Sequence, residues 1–136
     1  MKLTDEEHAE LEALEKEEKD RLAAEVLAAK RQHLDALRMS KRLSAKHGKP
    51  GHDFIVLETK VGNVAVRRPN EVELDSYESD AEDTRAQNEQ FAASVVIEPP
   101  ADDVRALMAA NPGLAGPLVM HAVGLVKVMR EEEAKK

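Results

Sequence analysis

Five histidines (His8, His33, His47, His52 and His121) and a dense set of carboxylates are the residues of this 136-residue chain that could do chemistry. His47, His52 and Asp53 lie close enough in sequence to share a metal ion. Their spacing matches no established ligand pattern, and a Gly/Pro turn stands between the two histidines, so a solvated linker is expected there. His121 lies among apolar residues and is expected as a hydrogen-bonded core histidine rather than a catalytic base. Ser40, Ser44, Ser76, Ser79 and Ser94 have no nucleophile-elbow context. Gly113-Leu114-Ala115-Gly116 has neither the preceding strand nor the following Lys-Ser/Thr of a phosphate loop. The carboxylates of 71–83 lack the Asp/Asn alternation with Gly of a calcium loop, and a solvated acidic surface is expected. The chain has no Cys, which excludes disulfides and thiolate metal sites. No enzymatic activity, cofactor or metal is expected.

The distribution of charge says more. Residues 1–20 carry nine acidic and three basic side chains, a net of −6, whereas residues 21–50 carry eight basic and two acidic, a net of +6. Residues 71–103 are acidic again, with eleven acidic side chains and one basic. The basic block can meet an acidic block in the same chain or in a neighbour. The overall charge of −7 opposes nucleic-acid binding, which needs clustered Lys and Arg on phosphate. The run Lys41-Arg42-Leu43-Ser44-Ala45-Lys46 has no aromatic partner and reads as the exposed, dipole-matched end of a helix. The longest uncharged stretch, Ala106 to Val126, is broken by Asn111, Pro112 and Pro117, so a buried helical hairpin is expected rather than a membrane span. No apolar leader follows Met1, and a cytoplasmic protein is expected.

The elements that must position these residues are mainly helical. Thr4 with Glu7 forms a capping box, and no Gly or Pro interrupts the chain until Gly48 and Pro50. Apolar residues recur at helical spacing at Leu3, Leu11, Leu14, Leu22, Val26, Ala29, Leu34 and Leu37, with Leu43 near the end. The spacing is not a zipper heptad, and Glu7 and Glu18 interrupt it where an 11-residue repeat wants apolar side chains. One helix, capped by Thr4, ended by His47-Gly48-Lys49-Pro50-Gly51 and so roughly 65 Å long at 1.5 Å per residue, is predicted to make residues 1–48 an interaction arm. Residues 49–136 are predicted to form a compact domain. Its first element is a hairpin, Phe54–Val61 and Val64–Arg68, turning on Gly62-Asn63 and pairing Val61 with Val64, Thr59 with Val66 and Glu58 with Arg67. That register puts Ile55, Leu57, Val61, Val64 and Val66 on one face. A lone hairpin is marginal in water and must pack on helices or gain another strand.

Three or four helices follow. Asn70 and Glu73 cap a short one through about Tyr77; Ser79 and Glu82 open one through Phe91 to about Val96; Ala101–Ala110 follows Pro99-Pro100; and Leu114 to about Glu133 forms the last. The last carries Leu118, Ala122, Leu125 and Met129 on one face and is expected as the central core helix. The fold class expected is α+β, mainly helical: a long N-terminal helix, one β-hairpin and a small helical bundle.

From Phe54 onward the order of elements resembles the tail assembly chaperones of long-tailed bacteriophages. The likeness rests on Phe54–Leu57, then Thr59-Lys60-Val61-Gly62 leading to Val64-Ala65-Val66-Arg67-Arg68-Pro69, and on Val95-Val96-Ile97-Glu98-Pro99. Val104-Arg105-Ala106-Leu107-Met108 and the Asn111-Pro112-Gly113-Leu114 break before a terminal apolar helix complete it. It spans residues 54–130; the long charged helix lies outside it. The resemblance implies a non-enzymatic protein of the host cytoplasm that coats a long helical tape-measure-type protein, keeps it soluble and helps recruit tail tube subunits. A homo-oligomer is expected, with neither nucleic acid nor membrane as partner. Leu11, Leu14, Leu22, Val26, Leu34 and Leu37 are the expected partner-binding residues, because an amphipathic stripe suits a partner helix. The alternative is a structural subunit retained in a virion or other assembly.

Overall fold

The computed structural model describes residues 1–79 and 84–135. The element order is α1 (Asp5–His47), β1 (Phe54–Thr59), β2 (Gly62–Arg67), α2 (Glu71–Ser79), α3 (Arg85–Val95), β3 (Val96–Glu98), α4 (Ala101–Ala110) and α5 (Ala115–Ala134). The fold is α+β and mainly helical, as the sequence predicts. The chain divides into two compact units, Met1–Leu34 and Asp35–Lys136.

The first unit is helical from Asp5. Its entry is the capping box read from the sequence: Glu7 N–H donates to Thr4 Oγ1 at 3.1 Å, and Thr4 N–H donates to Glu7 Oε1 at 3.1 Å. Asp5, Glu6 and Glu7 fill the first turn, where the helix dipole favours negative charge. Farther along, Arg21 bridges Glu25 at 2.8 Å and Glu18 at 3.9 Å.

In the second unit β1, β2 and β3 form one antiparallel sheet in that order. One face packs on the helices: Val64 and Val66 join Phe91, Val95, Val104, Met108, Leu118 and Ala122 in the main core, with Ile55, Leu57 and Val61 against it. The other face carries Phe54 and Ala65, covered by Met39 and Leu43 from the end of α1. The sheet is therefore buried on both sides, which suits its near-continuous apolar strands.

The hairpin register departs from expectation. Thr59 pairs with Gly62, Leu57 with Val64 and Ile55 with Val66, so the turn is Lys60-Val61, two residues earlier than predicted. Among the described residues no non-glycine residue has positive φ, whereas Gly62 has φ +119°: the glycine supplies the left-handed step after the turn rather than within it. Thr59 braces the turn, its hydroxyl accepting from Val61 N–H at 3.2 Å and donating to Gly62 O at 2.6 Å. An even slip preserves the faces, so Ile55, Leu57, Val61, Val64 and Val66 still turn to one core. Arg67 pairs with Glu73 instead of Glu58.

The helix predicted to run to Val96 stops at Val95, and Val96–Glu98 adds a third strand to the sheet through β2, with a bulge between Ala65 and Val66. The start expected from Ser79 and Glu82 also shifts. Ser79 is the last residue of α2, Thr84 caps α3 by accepting from Gln87 N–H at 3.1 Å, and Glu82 lies outside the described residues. The Asn70–Glu73 box, α4 and α5 form as predicted to within a residue or two.

Helix α5 buries Ala115, Leu118, Val119, Ala122, Leu125 and Val126. His121 is exposed, not a core histidine, because it sits just outside the arc set by Leu118, Ala122 and Leu125.

Candidate protein-interaction surface

Every residue of Met1–Leu34 is exposed except the half-buried Gln32. Leu11, Leu14, Leu22, Val26 and Leu34 are 44, 54, 48, 54 and 45% exposed. At 100° per residue Leu11, Leu22 and Val26 fall within an arc of about 60°, with Leu14 and Leu34 flanking it on opposite sides. Leu37, the sixth residue read from the sequence, belongs to the second unit and is 55% exposed. It escapes burial because the part of α1 that packs on the sheet presents Ala36, Met39 and Leu43. Leu27, seven residues before Leu34 and so on the same side of the helix, is exposed in the same way and is an apolar residue that the sequence analysis does not single out.

Singly exposed leucines are ordinary on a protein surface, but a row of them along a helix is a mark of an interaction site. Burial of a Leu or Val side chain contributes about 1.5–3 kcal/mol. An isolated helix is only marginally stable in water, so a partner on this row would stabilise it as well as bind it.

The chemistry-bearing residues gather elsewhere, in the second unit, and do structural work. In the segment expected as a solvated linker residues 48–51 are exposed, whereas His52 and Asp53 are half-buried and hydrogen-bonded. Asp53 Oδ2 accepts from Lys49 N–H at 2.7 Å, while Oδ1 lies 2.9 Å from His52 Nδ1 and 3.1 Å from Arg68 Nη1. The Lys49 N–H and the His52 ring hold the Asp53 carboxyl below the ordinary carboxylate range. The other ring nitrogen of His52 meets Glu132 of α5. His52 and Asp53 are adjacent in sequence, but nothing in the sequence signals Glu132.

A second cluster joins β2 to α2 and α3. Arg67 donates to both carboxylate oxygens of Glu73, at 2.7 and 2.8 Å, and to Ser94 O at 2.9 Å. The bidentate geometry holds the Glu73 carboxyl below, and the Arg67 guanidinium above, its ordinary range. Glu73 is thus a paired residue rather than part of a solvated acidic surface. Arg42 in the basic block pairs with Glu98 of β3, one realised contact between the blocks of opposite charge.

Among the described residues no three His, Cys, Asp or Glu side chains are placed to hold a metal ion, and no helix is long and apolar enough to cross a membrane. One open groove of the second unit is lined by Val72, Glu73, Tyr77, Gln87 and Phe91. No family model, curated protein or solved structure matches the chain.

Proposed function

We propose that this protein is a non-enzymatic assembly factor of the tail-assembly-chaperone kind. It holds a long, helical, tape-measure-type protein through the apolar row Leu11, Leu14, Leu22, Val26, Leu34 and Leu37 and keeps it soluble until tail tube subunits arrive. The observation that carries the reading is the exposure of these side chains: Leu11, Leu14, Leu22, Val26 and Leu34 are each about half exposed on a helical unit with no buried residue of its own, and Leu37 in the second unit is exposed to the same degree. An amphipathic helix of this kind offers i, i+3, i+4 anchors to a partner helix. The charge blocks add direction, because a partner must complement an acidic segment followed by a basic one. The order of elements from Phe54 to the terminal apolar helix is the second support.

The test is a native pull-down of the tagged full chain from cells that produce it, with the co-purifying chains identified by mass. Recovery of one very long, helix-rich protein, outnumbered by this chain, is the expected result. Recovery of the chain only within finished particles would overturn the chaperone role in favour of a retained structural subunit.

A further inference from the structure

We infer that His52 is a proton-operated latch. With both ring nitrogens protonated it fastens the end of α5 to the turn that follows α1; when it loses a proton, the Glu132 carboxylate lets go and the last turns of α5 are freed. This inference is independent of the apolar row of α1 and of any partner, and is tested without them.

The imidazole of His52 stands between two carboxylates of the second unit. Nδ1 lies 2.9 Å from Oδ1 of Asp53, and Nε2 lies 2.8 Å from Oε2 of Glu132. An ionised carboxylate only accepts, so both contacts are hydrogen bonds only when both ring nitrogens carry a proton, which is the imidazolium. The third charged group set against the ring is Arg68, just beyond β2. Its Nη1 lies 3.4 Å from Nδ1, donates to Oδ1 of Asp53 at 3.1 Å and donates to the His52 carbonyl oxygen at 3.1 Å. The ring is thus faced by Asp53 from its own turn, by Arg68 from the end of β2 and by Glu132 from α5.

Loss of one proton leaves one nitrogen with a lone pair against a carboxylate oxygen, and the two nitrogens are not equivalent. A lone pair on Nδ1 would face a carboxylate that cannot withdraw, because Asp53 is held by Lys49 N–H at 2.7 Å and by Arg68. Backbone bonds fix the turn as well: Asp53 N–H donates to Lys49 O and Arg68 N–H to Asp53 O, each at 2.9 Å. A lone pair on Nε2 faces Glu132, whose side chain is 48% exposed and free to turn into water. The remaining proton therefore stays on Nδ1 with Asp53, and Glu132 is the partner released. Histidine is the side chain that changes charge near neutral pH. The latch closes as pH falls and opens as it rises, with Asp53 and β2 unmoved.

Full-length protein, isotope-labelled in its histidine rings, is titrated by NMR between about pH 5.5 and about pH 8.5, a span that brackets the histidine charge change. The ring signals of His52 are identified by their loss in His52→Gln. Amide protection along α5 is read over the same span as protection factors, which divide out the intrinsic effect of pH on exchange. The expected result is a neutral ring with its proton on Nδ1 and protection over residues 128–134 that falls about fivefold, the size of one ordinary hydrogen bond, with the midpoint of the ring itself. In Glu132→Gln the carboxamide donates to Nε2 of the neutral ring or accepts from the charged one, so the ring still titrates while protection stays level. Protection over 128–134 that does not follow the charge of the ring, a neutral ring with its proton on Nε2, or an equal fall in Glu132→Gln would each overturn the inference.

Discussion

The Nε2 of His52 lies 2.8 Å from Oε2 of Glu132. The contact ties the turn that follows α1 to the last turns of α5, two segments far apart in sequence. His52 is anchored from the other side by Asp53, at 2.9 Å, and Asp53 by Arg68. His52→Ala removes the tie, at a cost of about 1 kcal/mol for the hydrogen bonds lost. Amide exchange should quicken over residues 128–134 while the protection of β1 and β2 is unchanged. Equal exchange in the two proteins would show that Glu132 is held by something else.

The pairing of Arg67 with Glu73 makes a prediction in pH. Glu73 is held below the ordinary carboxylate range first by hydrogen bonds from Arg67, then by the Asn70 N–H, against the opposing effect of burial. In the unfolded chain it returns to its ordinary value. The stability it contributes is therefore full above that ordinary value and is lost as pH falls through the lower folded one. Asp53 acts in the same direction. Glu73→Gln should lower stability at neutral pH by about 1–2 kcal/mol and flatten the acid limb of stability against pH, read by urea unfolding at a series of pH values. An acid limb of unchanged steepness would contradict the assignment.

Gly48 and Gly51 separate backbone strain from collision. Both have positive φ, +102° and +78°. A Cβ at Gly48 would run into the Asp53 carboxylate, whereas one at Gly51 meets open space. Gly51→Ala should cost about 1 kcal/mol, and Gly48→Ala clearly more, because it also displaces the carboxylate that Lys49 and Arg68 hold. Thermal unfolding of the two variants checks the order.

Leu118 is fully buried at the centre of the main core. Leu118→Ala should cost about 2–5 kcal/mol, the range for a cavity among neighbours that relax only in part. Chemical denaturation provides the measurement, and a loss under 1 kcal/mol would place the centre of the core elsewhere.

Two helix starts were legible from capping chemistry, Thr4 with Glu7 and Asn70 with Glu73, which form the reciprocal boxes their spacing predicts, whereas the Ser79–Glu82 spacing misled because Ser79 ends α2 and Thr84 caps α3. Elements set by tertiary pairing were not. Val96–Glu98 is too short for alternation to show, and it becomes a strand because β2 has a free edge beside it. Gly62-Asn63 has the composition of a turn, yet the left-handed conformation falls on Gly62 after the turn, and the strands slip to suit. His121 looked buried because its neighbours are apolar, but only one arc of α5 faces the core. At the candidate surface the six apolar residues were read from spacing alone, and their exposure is what the structure adds. The His52–Glu132 contact joins distant residues and had no local signal.

The central claim is that the apolar row of α1 binds a helical protein partner. Full-length protein carrying Leu22→Asp and Val26→Asp tests it most directly in a side-by-side pull-down with the unchanged chain, with near-native exchange protection across β1, β2 and α5 as the control for folding. The account predicts loss of the long helix-rich partner at least tenfold, about 1.4 kcal/mol or more, for two apolar anchors made charged. Equal recovery of that partner by the two proteins would contradict it.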